Sequence, residues 1–502
     1  MWAALDAVIP YISLNVNTPK TGSMRASLRL ILLCAVVGSS AMSTERSTSD
    51  VERQAKMTTC ELVADIGYEC ETTKAATQDG YVLEVDRVRE SESTMLSNDN
   101  NTPGNPVLLV PGMFCDSATW FINYPSQSAG FMLAHRGYDV WAMNTREVAQ
   151  RCYHKELSQK DYRYWQWSGR LARRHRQAKP GGRSASLLEG AELVGQVRSA
   201  EGRLPPGRGR IGVFFKELVV DAQCWQHYEF LSYLLLSCSF NEIGQLDVAA
   251  VIDLILTRTG ASRLTILGFS QGFTSSLVLL ATKPEYNGKV DLLMGYAPVA
   301  NLSHTGYPVS PLIFLSDLLF LLSDPLGKGG HLRQMDAAKA AGQLVCGTLG
   351  GQTCSSMAFL TRLSSPQQLN QSRTPVYVAH CLEGTSIKNL RHFAQVARAK
   401  KFVMYDYGML ENVHKYGQAK PPEYPVEHIS VPVALFSSDG DAVADRADVT
   451  DLVHTLGSTA ILDYHVPARN FRHNDFILGC NATDMLHDVM MATLGRRNRK
   501  DV

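Results

Sequence analysis

The chain has 502 residues, a formal net charge of +1, and 45% hydrophobic and 19% charged residues. That composition supports a large buried core and excludes global disorder. The near-zero net charge gives no footprint for a nucleic-acid partner or an acidic substrate, and the length accommodates one large domain with an insertion, or two domains.

Near the N-terminus, Met24-Arg-Ala-Ser-Leu-Arg29 is a positive stretch, Leu30–Val37 a short apolar run, and Gly38-Ser-Ser-Ala41 a set of small residues. This is the pattern of a secretory signal peptide over 24–41, too short to span a bilayer. Since 23 residues precede Met24, residues 1–23 are expected to be a non-native upstream extension, with translation starting at Met24. No later run has transmembrane length, so the mature chain is expected in the secretory pathway, where disulfides form. Of the 11 cysteines, Cys34 falls in the signal and Cys224 and Cys238 in an anomalous segment. The remaining eight suit disulfides without revealing their pairing. Asn100, Asn301, Asn370 and Asn481 head permissive N-glycosylation sequons.

Further on, residues 42–56 read as a loose lead-in. Gln78-Asp-Gly-Tyr81 predicts a turn before a strand at Val82–Val88, and residues 91–105 a polar surface loop. Pro106–Val110 reads as a buried strand leaving through the turn Pro111-Gly-Met-Phe114. Phe131–His135 reads as helix and Tyr138–Ala142 as the next strand. Leu264–Leu267 predicts a strand, Phe273–Ala281 a helix, and Lys289–Tyr296 another strand. Residues 301–428 change to helical segments and loops, and strand character returns at Val431–Phe436 and Ala460–Val466. Alternating strands and helices imply a mostly parallel sheet covered on both faces, with a helical cap inserted before the last strands.

Between strand and helix stands Gly268-Phe-Ser270-Gln-Gly272, the G-x-S-x-G pattern of a nucleophile elbow. A serine hydroxyl is a weak nucleophile and needs a histidine base oriented by a carboxylate. On this architecture the order is Ser, then acid, then His. The loop after Val431–Phe436 offers Asp439, Asp441 and Asp445. After the last strand, His473 is in place as the base, whereas His465 lies within a strand and His487 on the final helix. An oxyanion site needs two backbone N–H groups: Gln271, after the nucleophile, and Met113, in the turn after Pro106–Val110.

The chain resembles the acid lipase family, which includes gastric and lysosomal acid lipases. The stretches that carry the resemblance are "TQDGYVLEVDRV", "SATWFINYPSQSAGFMLAHRGYDVWAMNTR", "GFSQG", "YAPVA", "YDYG", "DGDAVADRADV" and "HNDFILG", in order and suitably spaced. The resemblance implies an α/β-hydrolase fold, the triad Ser270, Asp441 and His473, and an oxyanion turn at Pro111-Gly112-Met113, where proline replaces the family's histidine. The elbow reads Gly-Phe-Ser where Gly-His-Ser is usual, so the contacts around Ser270 are expected to differ. Cys346 and Cys354 match a family disulfide of similar spacing in the cap. The implied activity is cleavage of carboxylic esters of neutral lipids at a lipid–water interface, by a secreted or lysosomal enzyme that requires no metal or cofactor. The rival readings are a catalytically inactive lipid-binding or storage homologue and a soluble short-chain carboxylesterase.

Residues 169–239 have no counterpart in that family. Gly169–Arg210 carries nine arginines among 42 residues and shows no structural period. Phe230–Cys238 is built from amino acids encodable by pyrimidine-rich codons, as the end of an intron would be. The segment is expected to be a retained intron or a gene-model error rather than a real surface loop; the hydrolase core comprises 57–300, which contains it, and 429–502, with a cap at 301–428 between them. Joining Ser168 to Phe240 gives an S-x-x-E capping box opening the helix Phe240–Thr259. Ser239 supplies the same box with the segment present.

Overall fold

Pro106–Val110 (β3) and Leu264–Phe269 (β6) are apolar runs without polar alternation, the signature of strands covered on both faces. In the computed structural model every residue of both is buried, and they pair in parallel, Leu108 opposite Ile266 and Val110 opposite Gly268. The structure describes residues 50–91, 105–158, 238–306, 309–311, 313 and 363–498. The signal peptide, Asn100, most of 169–239 and the Cys346/Cys354 pair therefore lie outside the described residues. The chain divides into two compact units, Met1–Gln54 and Ala55–Val502; the second is described here.

Among the described residues its sheet has nine strands in the order β1-β2-β4-β3-β6-β7-β8-β9, with β5 paired to β2. In sequence, β1 is Glu69–Ala76, β2 Tyr81–Arg89, β4 Asp139–Met143, β5 Cys152–His154, β7 Val290–Tyr296, β8 Val433–Ser437 and β9 Ala460–His465. From β4 across to β9 all pairings are parallel; β1 and β2 form an antiparallel hairpin at one edge. This is an α/β-hydrolase fold. Each fully buried aliphatic side chain in the central strands contributes on the order of 1.5–3 kcal/mol, and Leu108, Leu109, Ile266, Leu267, Leu293 and Leu435 are all inaccessible. The expected strands are present, with ends displaced by one or two residues. Strands β1 and β5 were not anticipated: only two of the eight β1 residues are buried, so it carries little hydrophobic pattern. The Cys60–Cys70 disulfide, which cysteine counting left open, ties β1 to the helix Thr59–Asp65.

The helix expected from Phe240 to Thr259 forms, with a π-turn at Ile243–Val248 and a stop at the left-handed Gly260. Its first turn carries the Ser239/Glu242 capping box. Cys238 and Ser239, the last two residues of the anomalous segment, are buried. Between β7 and β8, the described residues contribute the helices Thr374–His380, Ile387–Ala399 and Met409–Tyr416 and no strand of the sheet.

Phe240 anchors the helix start against that region. Its ring stacks on His392 at 3.9 Å and meets Phe393 and Phe402. His392 Nδ1 lies 3.1 Å from Ser239 Oγ, and Nε2 lies 3.0 Å from the Val403 carbonyl. Burial pushes the His392 pKa down from 6.5 to about 3, and burial lowers His487 to about 4. The unfolded chain takes up a proton at each of these rings below its ordinary pKa, whereas the folded chain does not. Between about pH 6.5 and the lowered values the unfolded state therefore binds more protons. Stability is intact above that window and falls within it as pH drops, by up to roughly 1.4 kcal/mol per pH unit for each histidine. Urea midpoints are expected to fall more steeply from pH 6.5 to pH 4 in the natural chain than in His392→Gln, although the variant starts lower at pH 7. Equal slopes would show that His392 protonates in the fold.

Candidate active site

Where β6 ends, the chain turns into the helix Gln271–Thr282 within a single residue, and Ser270 takes φ 51° and ψ −119°. A side chain in that region is strained, and such strain collects at functional sites. Small neighbours make the turn possible. A Cβ on Gly268 would sit 2.5 Å from the Phe273 nitrogen, and one on Gly272 would sit 2.2 Å from the Val110 oxygen. The two glycines are thus imposed by backbone contacts on either side of the serine.

The three aspartates after β8 separate by position. Asp439 is exposed, 3.3 Å from His465 Nε2. Asp445 caps the helix Arg446–Leu456, accepting from the Ala447 N–H at 2.8 Å. Asp441 is buried, and its Oδ1 accepts from the Val443 and Ala444 N–H groups at 2.8 and 3.0 Å. Gly440 beside it has no room for a side chain, since a Cβ would meet the Phe471 oxygen at 2.4 Å.

His473 joins the two ends. Its Nδ1 lies 3.0 and 2.9 Å from the Asp441 carboxylate oxygens, and its Nε2 lies 2.8 Å from Ser270 Oγ. A carboxylate only accepts, so Nδ1 carries the proton and Nε2 faces the serine hydroxyl as an acceptor. The loop bearing His473 is held from behind: Asp475 accepts from the Ser365 N–H at 3.0 Å and the Arg472 N–H at 2.7 Å. His487 points elsewhere, 3.0 Å from the Tyr296 hydroxyl.

Gln271 is the first residue of its helix, so its N–H is among the donors that helix geometry leaves without an intrahelical partner. Gly112 packs under the elbow, where a Cβ would meet the Phe269 ring at 2.8 Å and Ser270 Cβ at 3.4 Å. That close approach brings the turn carrying Met113 alongside the serine. Phe269 also faces the His473 ring, with centroids 5.3 Å apart.

The sequence reading missed a buried polar cluster behind Gln271. Glu147 accepts from Gln271 Nε2 at 2.7 Å, from Asn389 Nδ2 at 3.0 Å and from the Thr385 hydroxyl. Burial raises its pKa against these donors. No motif marks these residues, because they come from three separate parts of the chain. Of the sequons within the described residues, Asn481 is exposed, while Asn301 and Asn370 are half-buried. No described helix is long and apolar enough to cross a membrane.

Residues 59–124 match the family described as "Partial alpha/beta-hydrolase lipase region". Over nearly the whole chain, the protein is similar to several lipases. Lipase member M of Homo sapiens is 26% identical over 465 residues, 92% of this chain and 91% of the relative. Lysosomal acid lipase/cholesteryl ester hydrolase of Rattus norvegicus is 27% identical over 469 residues, 92% and 98% of the two chains. Gastric triacylglycerol lipase of Rattus norvegicus is 27% identical over 444 residues, 88% and 92%.

Proposed function

From an α/β-hydrolase similar to the acid lipases over about nine-tenths of its length, we propose a serine-hydrolase lipase that cleaves the carboxylic esters of neutral lipids. The observation that carries this reading is the continuous hydrogen-bond chain Asp441–His473–Ser270 at a strained elbow. Ser270 Oγ attacks the ester carbonyl while His473 Nε2 takes the hydroxyl proton. Asp441 keeps the imidazole in its tautomer and stabilises the imidazolium that forms. The negative charge developing on the carbonyl oxygen falls to the Met113 and Gln271 N–H groups. His473 then returns the proton to the departing alcohol, leaving an acyl group on Ser270. Water, deprotonated by the same histidine, releases the fatty acid.

Hydrolysis of an emulsified long-chain triacylglycerol and a cholesteryl ester across pH 4–8 tests this, with a dissolved short-chain ester in parallel. A lipase turns over the emulsions. Activity confined to the dissolved ester would mark a carboxylesterase, and none on any ester would mark a binding homologue.

Different environments give the three aspartates different roles. Asp441→Asn is expected to lower kcat by a factor on the order of 10⁴, since the amide favours the wrong imidazole tautomer. Asp439→Asn should stay within a fewfold of the natural enzyme. Asp445→Asn should keep activity and lose at most a few tenths of a kcal/mol, as asparagine is also a good N-cap. Steady-state kinetics on a soluble ester compares them; a severe loss in Asp439→Asn would reassign the acid.

Also proposed is the division into a signal peptide at 24–41, a core at 57–300 and 429–502, a cap at 301–428 and a non-native segment at 169–239, in a secreted or lysosomal protein. Ser239 binds Glu242 and His392, so a chain joining Ser168 to Phe240 works only if Ser168 takes over both partners. That chain is expected to be soluble and active, and the predominant transcript to lack the segment. An insoluble joined chain beside an active full chain would make 169–239 a structural part.

A further inference from the structure

The turn that carries Met113 is fastened to the segment following the helix Thr374–His380 by a short two-stranded contact. The Asp116 N–H donates to the His380 carbonyl at 3.2 Å, and the Glu383 N–H donates to the Phe114 carbonyl at 2.8 Å. His380 Nδ1 adds a contact to Asp116 Oδ2 at 2.9 Å. Each segment carries a cysteine between its two bonded residues: Cys115 between Phe114 and Asp116, and Cys381, with Leu382, between His380 and Glu383. The Cys381 thiol beside it, together with burial, pushes the Cys115 thiol well up from its ordinary value. The Thr119 hydroxyl lies 3.6 Å from Cys381 Sγ. Cys115 is buried and Cys381 half-exposed, and both are thiols in this structure.

We propose that Cys115 and Cys381 are a built-in crosslinking site, closing to a disulfide that locks the Met113 turn onto the cap-side segment 380–383. Backbone hydrogen bonds already hold the two chain segments side by side, so the bond forms between residues the fold has aligned. The reaction needs a two-electron acceptor, supplied by the disulfide of a small thiol or of a thiol oxidoreductase. The Cys381 thiolate, the more accessible of the two, attacks a sulfur of that donor and releases one donor thiol. The Cys115 thiol, giving up its proton in the step, then attacks Cys381 Sγ and releases the second. One S–S bond forms in the protein and one breaks in the donor, and two protons and two electrons pass to the donor. The loop closed in this way spans 266 residues, so the bond constrains the unfolded chain strongly. Phe114, next to Cys115, holds a φ of 65°, and the crosslink opposes relaxation of that turn.

Peptide mapping of the full chain reads the bond without reference to activity. The protein is incubated with oxidised glutathione, alkylated and digested without reductant, with the Cys60–Cys70 peptide as internal control. The expected result is a linked Cys115–Cys381 peptide in the majority of molecules, lost on treatment with dithiothreitol. Free thiols at both positions, separate glutathione adducts, or pairing with Cys152 or Cys480 would overturn the proposal. In a second measurement, dithiothreitol is expected to lower Tm more in the oxidised natural chain than in C115S/C381S. An equal fall in both would overturn the locking role.

Discussion

Ser270→Ala is expected to lower kcat on an ester by roughly 10⁴–10⁶ while leaving the fold intact. The reaction loses its nucleophile, and nothing else in the site can form the acyl intermediate. The structural cost is small because the hydroxyl contacts His473 Nε2, and a typical hydrogen bond is worth about 1 kcal/mol. Alanine inherits the same φ of 51°, so backbone strain is unchanged. His473→Ala should cost about as much. The double variant should be scarcely worse than either single one, because the residues act as one unit. Single-turnover kinetics on a chromogenic ester, with circular dichroism to verify folding, checks all three. Full activity in purified Ser270→Ala would end the serine-hydrolase reading.

The largest stability effect is expected at Arg146. Its guanidinium is buried between two carboxylates: Nη1 lies 2.7 Å from Asp79 Oδ2, and Nη2 lies 2.6 Å from Asp247 Oδ1. The ring of Tyr81 lies over it at 4.3 Å, and its own N–H donates to Asp247 Oδ2 at 3.0 Å. Burial alone would lower its pKa, but the two carboxylates outweigh that and hold it well above the usual value. Arg146→Met leaves both acids buried without a cation. Breaking a buried ion pair from one side costs about 3–5 kcal/mol, and two stranded carboxylates put this site at or above the top of that range. Adding Asp79→Asn and Asp247→Asn to Arg146→Met should recover part of the loss, since the penalty resides in the stranded charges. Urea denaturation of the variants measures it; a loss below about 1 kcal/mol for Arg146→Met would show that water reaches the acids.

Arg146 also shows where reading the chain stops. It appears inside a quoted family stretch, yet its partners come from the β1–β2 turn and from a π-turn a hundred residues later. Sequence spacing gives no sign of that meeting. Glu147 is similar: its partners Gln271, Thr385 and Asn389 lie 124, 238 and 242 residues further along the chain. The elbow was legible for the opposite reason. Its constraints are local, and the two glycines, the apolar strand and the helix all fall between Leu264 and Thr282.

Sequence by itself determined the elements whose physics is contiguous. Long apolar runs gave the central strands, because burial on both faces leaves only one kind of residue. The order Ser, Asp, His and the family stretches pointed to Ser270, Asp441 and His473. Tertiary structure decided what depends on long-range contact. It separated the buried Asp441 from the exposed Asp439 and the capping Asp445, three residues alike in type and a few positions apart. It revealed β1, an edge strand whose pattern is weak because most of its side chains face water. It also joined Cys60 to Cys70, a pairing that a count of cysteines leaves open, because a disulfide depends on the distance between Cα atoms in the folded chain.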